Sequence, residues 1–200
     1  MFKKQNAMEN LFKIFSLIPG IGKKSALKVL YYILSLEKEK VLEITDAIIN
    51  ANRSIKKCKF CRNYTENDIC KICSNEKRDK TIICIVENPN DIRSFEKINS
   101  FFGRYYVLHG LISPTKGIGP KELDLKDLFL KIKNNDIIKE VILATNPTVE
   151  GETTARYIAK FLKPLKISIS RLAYGISVGS EIQYTDKMTI LKAIENRNRL

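Results

Sequence analysis

Four cysteines form the clearest group of residues in this chain that could do chemistry. They lie in the segment CKFCRNYTENDICKIC with the spacing C-x2-C-x8-C-x2-C, at Cys58, Cys61, Cys70 and Cys73. Cysteines paired in this way form disulfides, a redox-active dithiol or a metal site. The spacing favours the metal site, because two C-x-x-C turns joined by a short loop can place four sulfurs around one tetrahedral Zn²⁺.

The disulfide and redox interpretations fit the sequence less well. Glu9 and Lys13 interrupt the apolar run near the N-terminus, so no secretion signal is predicted, and disulfides are rare in a reducing cytoplasm. A redox dithiol uses one C-x-x-C beside a βαβ pattern, whereas here two lie in a polar insert. The sequence therefore predicts one structural zinc with no open position for catalysis. A fifth cysteine, Cys84, lies in the apolar run IICIV and is predicted to be a buried small hydrophobic residue.

Basic residues dominate the charge of the chain. Its 200 residues include 35 Lys and Arg against 22 Asp and Glu, a net charge of +13. Residues 1–80 hold 17 basic and 9 acidic side chains, so the excess is denser toward the N-terminus. This balance favours an anionic partner such as nucleic acid, although a basic surface without such a partner is the alternative.

Five of these cations fall within ten residues around the first cysteine pair. They are Arg53, Lys56, Lys57, Lys59 and Arg62. No acid lies among them in the sequence, so the metal-stiffened segment is a candidate platform for phosphate contacts, with Arg53, Lys56, Lys57 and Lys59 as the predicted DNA-binding residues. A solvated loop is the alternative.

The segment LIPGIGKKSALKVL is a second candidate site. Pro19 and the two glycines interrupt a helical pattern, which predicts a helix–hairpin–helix. We expect the glycines to let two helices cross closely and to leave backbone N–H groups at a helix N-terminus, where they bind a phosphate without reading bases. A plain corner between helices is the alternative, and a P-loop is excluded because Leu17 stands where its first glycine should be. The predicted phosphate-binding residues here are Gly20, Gly22, Lys23, Lys24 and Lys28.

The rest of the chain alternates predicted strands and helices. From Thr81 onward the runs TIICIVE, YYVLH, EVILAT and KISISRL predict strands, with amphipathic helical patterns between them. The alternation predicts βαβ units and a mostly parallel sheet, so the fold class is multidomain α+β. The predicted domains are residues 1–52 (helix–hairpin–helix), 53–79 (four-cysteine zinc finger), 80–172 (α/β domain) and 173–200 (C-terminal segment and helix).

Four carboxylates follow the predicted strand ends. They are Glu87, Asp91, Glu150 and Glu152. We expect them to converge at the carboxyl edge of the sheet, where ligand sites of open α/β sheets lie. This pattern resembles the Toprim domain of topoisomerases, primases and some nucleases, in which the acids hold Mg²⁺. The Asp-x-Asp of the active enzymes is missing, however, and Asn146 and Pro147 stand in its place, so docking of a basic partner and binding of Mg²⁺ both stay open. The single histidine, His109, is predicted to be structural.

The order of these parts resembles the RecR family of bacterial recombination proteins. The segment ATNPTVEGE at 144–152 matches the family motif without change, and IPGIG at 18–22 is followed by the matching KSA at 24–26. HGLISPTKGIGP and YGISVGSEIQYTD match two further motifs, with Ser177 where proline is usual and His109 where a small residue is usual. The resemblance covers nearly the whole chain.

This resemblance implies a non-enzymatic, non-sequence-specific DNA-binding protein of recombinational repair. It implies a homo-oligomeric ring, dimer to tetramer, that encircles DNA and works with RecO-type and RecF-type partners to help load RecA at gaps. A cytoplasmic location is expected, without membrane association, because no apolar run approaches the roughly 18 residues of a membrane span. The alternatives are a Mg²⁺-dependent Toprim nuclease or topoisomerase that uses Glu87, and an interaction scaffold without DNA affinity.

Overall fold

The computed structural model describes residues 6–197, and the chain divides into two compact units. The first unit ends at Ile55 and the second begins at Lys56. None of the helices in the described range is both long enough and apolar enough to cross a bilayer.

The first unit is helical, as the sequence predicts. Its helices are α1 (Ala7–Ser16), α2 (Lys23–Ser35) and α3 (Lys38–Ser54). Asn6 begins α1 by accepting a hydrogen bond from the N–H of Met8 at 3.2 Å. Within its described residues this unit buries only Ala26 and Leu30, both on α2. Most of its apolar side chains are therefore left exposed by the unit itself.

The second unit begins with the cysteine segment and continues into a parallel sheet. The cysteine segment contains the antiparallel pair β1 (Lys56–Lys57) and β2 (Tyr64–Thr65), followed by α4 (Lys71–Ser74). The four strands of the sheet are β3 (Ile82–Val86), β4 (Arg104–Val107), β5 (Glu140–Ala144) and β6 (Ser168–Arg171). They follow the order β4-β3-β5-β6, and every neighbouring pair is parallel, which confirms the predicted α/β sheet.

The helices of this unit follow the predicted periodic segments. They are α5 (Pro89–Ile98), α6 (Leu125–Lys133), α7 (Val149–Leu162) and α8 (Lys187–Glu195). Asp186 begins α8 by accepting hydrogen bonds from the N–H groups of Met188 and Thr189, and the end of the predicted tail helix at 198–200 lies outside the described residues.

Alternate residues of the central strands supply a core on each face of the sheet. Ile85 points into a cluster with Leu128 of α6 and Ile158 of α7. Its neighbour Cys84 lies in a second cluster with Ile92 of α5. The period of two follows from the pleat of the strand. Cys84 is fully buried, as predicted, and burial raises the pKa of its thiol to about 12.

Gly151, in the first turn of α7, allows the backbone of this helix to lie close to the backbone of Asn146. Its N–H donates to Thr148 Oγ1 at 3.1 Å, and its carbonyl accepts from Thr145 Oγ1 at 2.9 Å. A Cβ at this position would stand 2.0 Å from the carbonyl oxygen of Asn146. The glycine therefore fixes the path of the loop between β5 and α7.

We expect Gly151→Ala to destabilise the second unit. Because the clash is with backbone, relief requires a shift of the loop, and overpacking of this kind costs about 1–3 kcal/mol. Urea unfolding of the zinc-loaded protein measures the loss. Gly175→Ala is the matched control, since a Cβ there would meet nothing within 4 Å in the part of the chain that the structure describes. Equal stability of the two variants would contradict the assigned role of Gly151.

Candidate functional site

The four predicted cysteine ligands lie together in one buried group. Their sulfurs are all within 4.8 Å of one another, and the Sγ atoms of Cys61 and Cys70 are 3.5 Å apart. Four sulfurs about 2.3 Å from a central zinc would be about 3.8 Å apart in a tetrahedron. The quartet, Cys58, Cys61, Cys70 and Cys73, therefore fits one Zn²⁺ with no open coordination position.

Hydrogen bonds and burial set the protonation of these sulfurs when no cation is bound. The N–H of Cys70 donates to Cys58 Sγ at 3.3 Å, a bond that stabilises a thiolate. The pKa of the Cys61 thiol is raised by its hydrogen bonds with Cys70 and Cys73 and by burial. A bound divalent metal would reverse that shift, because its charge favours the thiolate form. The ion would cross-link the segment and would have a structural, not a catalytic, role.

Several hydrogen bonds join the cysteine segment to the edge of the sheet. Val107 of β4 donates its N–H to the carbonyl of Cys61 at 2.9 Å. His109 Nε2 lies 2.7 Å from the carbonyl of Arg62, to which it donates, and its ring packs edge-on against Tyr64. The Arg62 guanidinium donates to Tyr106 Oη at 3.2 Å. His109 is therefore structural, in agreement with the sequence analysis.

Arg62 differs from the surface cations with which the sequence groups it. Only 14% of its side chain is exposed, and it also donates to the Leu123 carbonyl at 3.0 Å. Its backbone has a positive φ of 62°. Arg62 holds the finger to the sheet, a role that its position among exposed lysines concealed.

The exposed cations of the finger meet an acid that the local sequence did not reveal. Lys59 pairs with Asp68 at 2.6 Å, and Lys56 pairs with the same carboxylate. Hydrogen bonds from both lysines lower the pKa of Asp68 to about 2. Lys57 is exposed on β1, and Arg53 is exposed in the last turn of α3 in the other unit. Part of the predicted positive charge is therefore balanced within the finger.

The glycine hairpin places an uncapped helix N-terminus at the surface. Gly20 has a φ of +84°, a conformation that favours glycine, and the N–H of Ile21 donates to the Ile18 carbonyl at 3.0 Å. Gly22 precedes α2 and supplies no side-chain cap. The first-turn N–H groups of α2 thus keep their capacity to bind an outside acceptor. The lysines predicted beside them are all exposed: Lys23, Lys24 and Lys28.

One expectation about the hairpin was wrong. The glycines do not pack closely against a neighbouring helix, because a Cβ at Gly20 or Gly22 would meet nothing within 4 Å among residues 6–197. The small residue that packs closely is Ala26, which is fully buried. The space over the glycines is open to solvent instead.

The predicted acids follow their strands as expected but have separate partners. Glu87 Oε2 accepts from Asn146 Nδ2 at 2.8 Å, which joins the ends of β3 and β5. Asp91 accepts the Asn88 N–H at 2.7 Å in the capping box of α5. Glu150 lies half-buried in the first turn of α7. Among residues 6–197, the cysteine quartet is the one group of three or more His, Cys, Asp or Glu side chains close enough to share a metal.

Glu152 is bound by a cation of the chain itself. Its Oε1 accepts from Arg171 Nη2 at 3.0 Å and from Tyr174 Oη at 2.7 Å. The same guanidinium donates to the Leu143 carbonyl at 2.8 Å, at the end of β5. These hydrogen bonds, Tyr174 first, hold the pKa of Glu152 below its usual value. Arg171 was not predicted from the sequence. Its position at the end of a parallel strand, beside the predicted carboxylates, could have indicated that it pairs with one of them.

Comparison with known proteins agrees with this order of parts. Two curated proteins named Recombination protein RecR, from two strains of Clostridium perfringens, are each 48% identical over 191 residues, which is 96% of this chain and 96% of theirs.

The chain belongs to the RecR family.

Four family models match successive segments of this RecR-family chain. The helix-hairpin-helix model of RecR matches residues 8–52, and its zinc finger model, which has four cysteine ligands, matches 55–75. A Toprim domain model matches residues 81–173, and the C-terminal model of RecR matches 175–198. The zinc finger match and the cysteine geometry together support one structural zinc. The relatives are named as a recombination protein and not as a nuclease or topoisomerase.

We expect one zinc per chain, lost when a cysteine of the quartet is replaced. Cys61→Ser removes a thiolate ligand, so the zinc content measured by atomic emission should fall at least about tenfold, since zinc binding and folding of such segments are one process. Cys84→Ser is the control, because Cys84 lies in β3, outside the quartet. Zinc retained by Cys61→Ser and lost by Cys84→Ser would contradict the assigned ligand set.

Stability should fall in acid partly through Glu152. Since the hydrogen bonds from Tyr174 and Arg171 lower its folded pKa, they stabilise the protein above the usual glutamate pKa of 4.5, and this contribution is lost as the pH falls through the folded pKa. We expect Glu152→Gln to be less stable than the parent at about pH 6 and the difference to shrink by about pH 3. Urea unfolding at each pH measures it. Glu150→Gln is the matched control, because it removes a neighbouring carboxylate that is not bonded to Arg171 or Tyr174.

Proposed function

We propose that this chain binds the DNA backbone without sequence specificity and acts as a clamp in recombinational repair. The observation that carries the proposal is the uncapped N-terminus of α2, which follows the left-handed turn at Gly20 and is flanked by exposed Lys23, Lys24 and Lys28. N–H groups and lysines so placed bind phosphate oxygens and carry no base information. Membership of the RecR family and the net charge of +13 support the same function.

The proposed clamp is a ring of identical chains, dimer to tetramer. The first unit buries only two of its described side chains, while Leu17 is 81% and Ile48 is 65% exposed. The described part of α8 buries none, and Met188 is 62% exposed. Apolar surface of this kind is typical of an interface, and a second copy is the partner that the family resemblance implies.

RecO-type and RecF-type proteins are the proposed partners. With them, the clamp would help to load RecA at gaps in DNA, and the proposed location is the cytoplasm. The carboxylates at the sheet edge are the proposed docking surface for a basic partner. Glu87, Asp91 and Glu150 form no ion pair within residues 6–197, so their negative charge stays available for association.

The enzymatic alternative receives less support from the same geometry. A Toprim catalyst needs carboxylates that share one Mg²⁺. Here Asn146 contacts Glu87, Asp91 caps α5 and Arg171 binds Glu152. These contacts favour a structural and docking role for the acids.

DNA binding should depend on the lysines of the hairpin. We expect Lys24→Glu/Lys28→Glu to weaken binding to both single- and double-stranded DNA by at least about tenfold at moderate salt, since each phosphate contact contributes about 0.9 to the slope of log K against log salt. Fluorescence anisotropy over a salt series measures affinity and slope.

The matched control for charge is Lys13→Glu/Lys38→Glu, which makes the same change at two exposed positions of the same unit outside the hairpin. Circular dichroism confirms that both variants keep their helices. Equal affinities for the two double variants would assign the binding to net charge and would overturn the hairpin assignment.

A further inference from the structure

A cavity of about 250 Å³ lies between the zinc finger and the Toprim sheet. Its finger wall is formed by Phe60 and Cys73, and its sheet wall by Ile83 and Tyr106. Both walls belong to the second unit. The volume is below the roughly 300–1,000 Å³ of pockets that enclose a whole small molecule, so the cavity suits one group of a larger ligand.

Basic side chains give this cavity its charge. Lys80, Arg104 and Lys131 line it, and its described lining includes no Asp or Glu. Lys131 pairs with Asp127 at 2.7 Å. Lys80 and Arg104 form no ion pair within residues 6–197. The cavity therefore holds an excess of positive charge that the chain leaves uncompensated.

An unpaired buried donor lies in the same wall. Arg104 Nε is buried without a hydrogen-bond partner and is the one such side-chain nitrogen or oxygen in the described part of the chain. Buried polar groups are nearly always paired, and an orphan calls for a physical explanation. An anion at Arg104 would supply the missing acceptor after a small movement of the side chain.

An aromatic ring stands at the edge of this charge. Phe60 lies between the first two zinc ligands and is 51% exposed, although it is a large apolar side chain. The metal-linked turn holds its backbone, which reduces the conformational freedom that binding would otherwise have to remove. Exposed aromatic rings beside basic grooves are the platforms on which unpaired bases stack.

We propose that this cavity binds one nucleotide of single-stranded DNA, with a phosphate at Lys80 and Arg104 and the adjacent base stacked on Phe60. The inference rests on the proposed DNA-binding function and names a strand preference for one surface of the protein. A base in a duplex is already stacked on both faces, so the Phe60 ring has no access to it, whereas the hairpin phosphate site accepts either form.

A hydrogen bond connects the zinc finger to the proposed phosphate-binding arginine. Arg104 Nη2 donates to the carbonyl of Cys73, a zinc ligand, at 3.3 Å. A phosphate held by the same guanidinium is thus one side chain away from the metal centre. The zinc fixes both the ring that stacks and the carbonyl that orients the arginine.

Phe60→Ala tests the stacking contact. We expect it to weaken binding of an oligo(dT) strand by about five-fold to a hundred-fold, the range for loss of one stacked base, and to change binding of a duplex of equal length by less than about two-fold. Phe102→Ala is the matched control, because Phe102 is similarly exposed (59%) and does not line the cavity. Zinc content and anisotropy are measured on each full-length, zinc-loaded protein.

Lys80→Glu tests the phosphate contact without disturbing the core, since Lys80 is exposed. We expect weaker single-strand binding and a slope of log K against log salt that is shallower by about 0.9, the loss of one phosphate contact. The control is Lys77→Glu, which changes an exposed lysine of the same linker outside the cavity.

A third readout is photocrosslinking of a strand that carries 5-iodouracil. The expected adduct is on the peptide that contains Phe60.

The outcomes separate this inference from the proposed function. If Phe60→Ala and Lys80→Glu bind single strands as the parent does, while Lys24→Glu/Lys28→Glu does not, the cavity assignment is wrong and the clamp stands. If the cavity variants lose single- and double-strand affinity equally, stacking on an unpaired base is wrong. If none of the variants affects DNA binding, both proposals fail.

Discussion

A hydrogen bond from the Val107 N–H to the Cys61 carbonyl connects the metal-binding segment of the second unit to its sheet, and the relative placement of these two parts depends on it. One partner is the last residue of an edge strand, and the other is a ligand of the cysteine quartet. An edge strand presents unpaired backbone groups that otherwise need covering, and the finger covers this one at its carboxyl end. The neighbouring contacts of Arg62 and His109 then fix the angle between finger and sheet. The metal site therefore orders the sheet edge as well as its own segment.

Two different physical devices hold the parts of this chain together. The sheet has apolar clusters on both faces and is stable by burial. The finger has only its four cysteines and Ile72 as a core, so a metal must supply what burial does not. The described part of the helical unit has no group of potential metal ligands and no large core, since only Ala26 and Leu30 are buried in it. Association with another copy would therefore bury more apolar surface, relative to what is already buried, in this unit than in the others.

Much of this architecture is predictable from the sequence, and the exceptions have a common cause. The strands, the long helices and the cysteine quartet are local patterns, set by periodicity and spacing, and each was predicted. Arg62, Asp68 and Arg171 were misjudged or missed because their roles arise from contacts that neither periodicity nor motif spacing predicts: Arg62 with Leu123, Asp68 with Lys56, Arg171 with Glu152. The hairpin glycines show the opposite error, since a familiar motif suggested that the glycines themselves are packed between helices, whereas a Cβ at either position would meet nothing within 4 Å among residues 6–197.

The pairing of Arg171 with Glu152 gives the carboxyl edge of the sheet a counter-ion that belongs to the chain itself. A magnesium ion exchanges with solvent, competes with other cations and follows the divalent concentration of the cell. A guanidinium on the last residue of β6 stays charged at every physiological pH and cannot be removed by a chelator. The loop between β5 and α7 thus has a counter-ion that the protein supplies at every physiological pH.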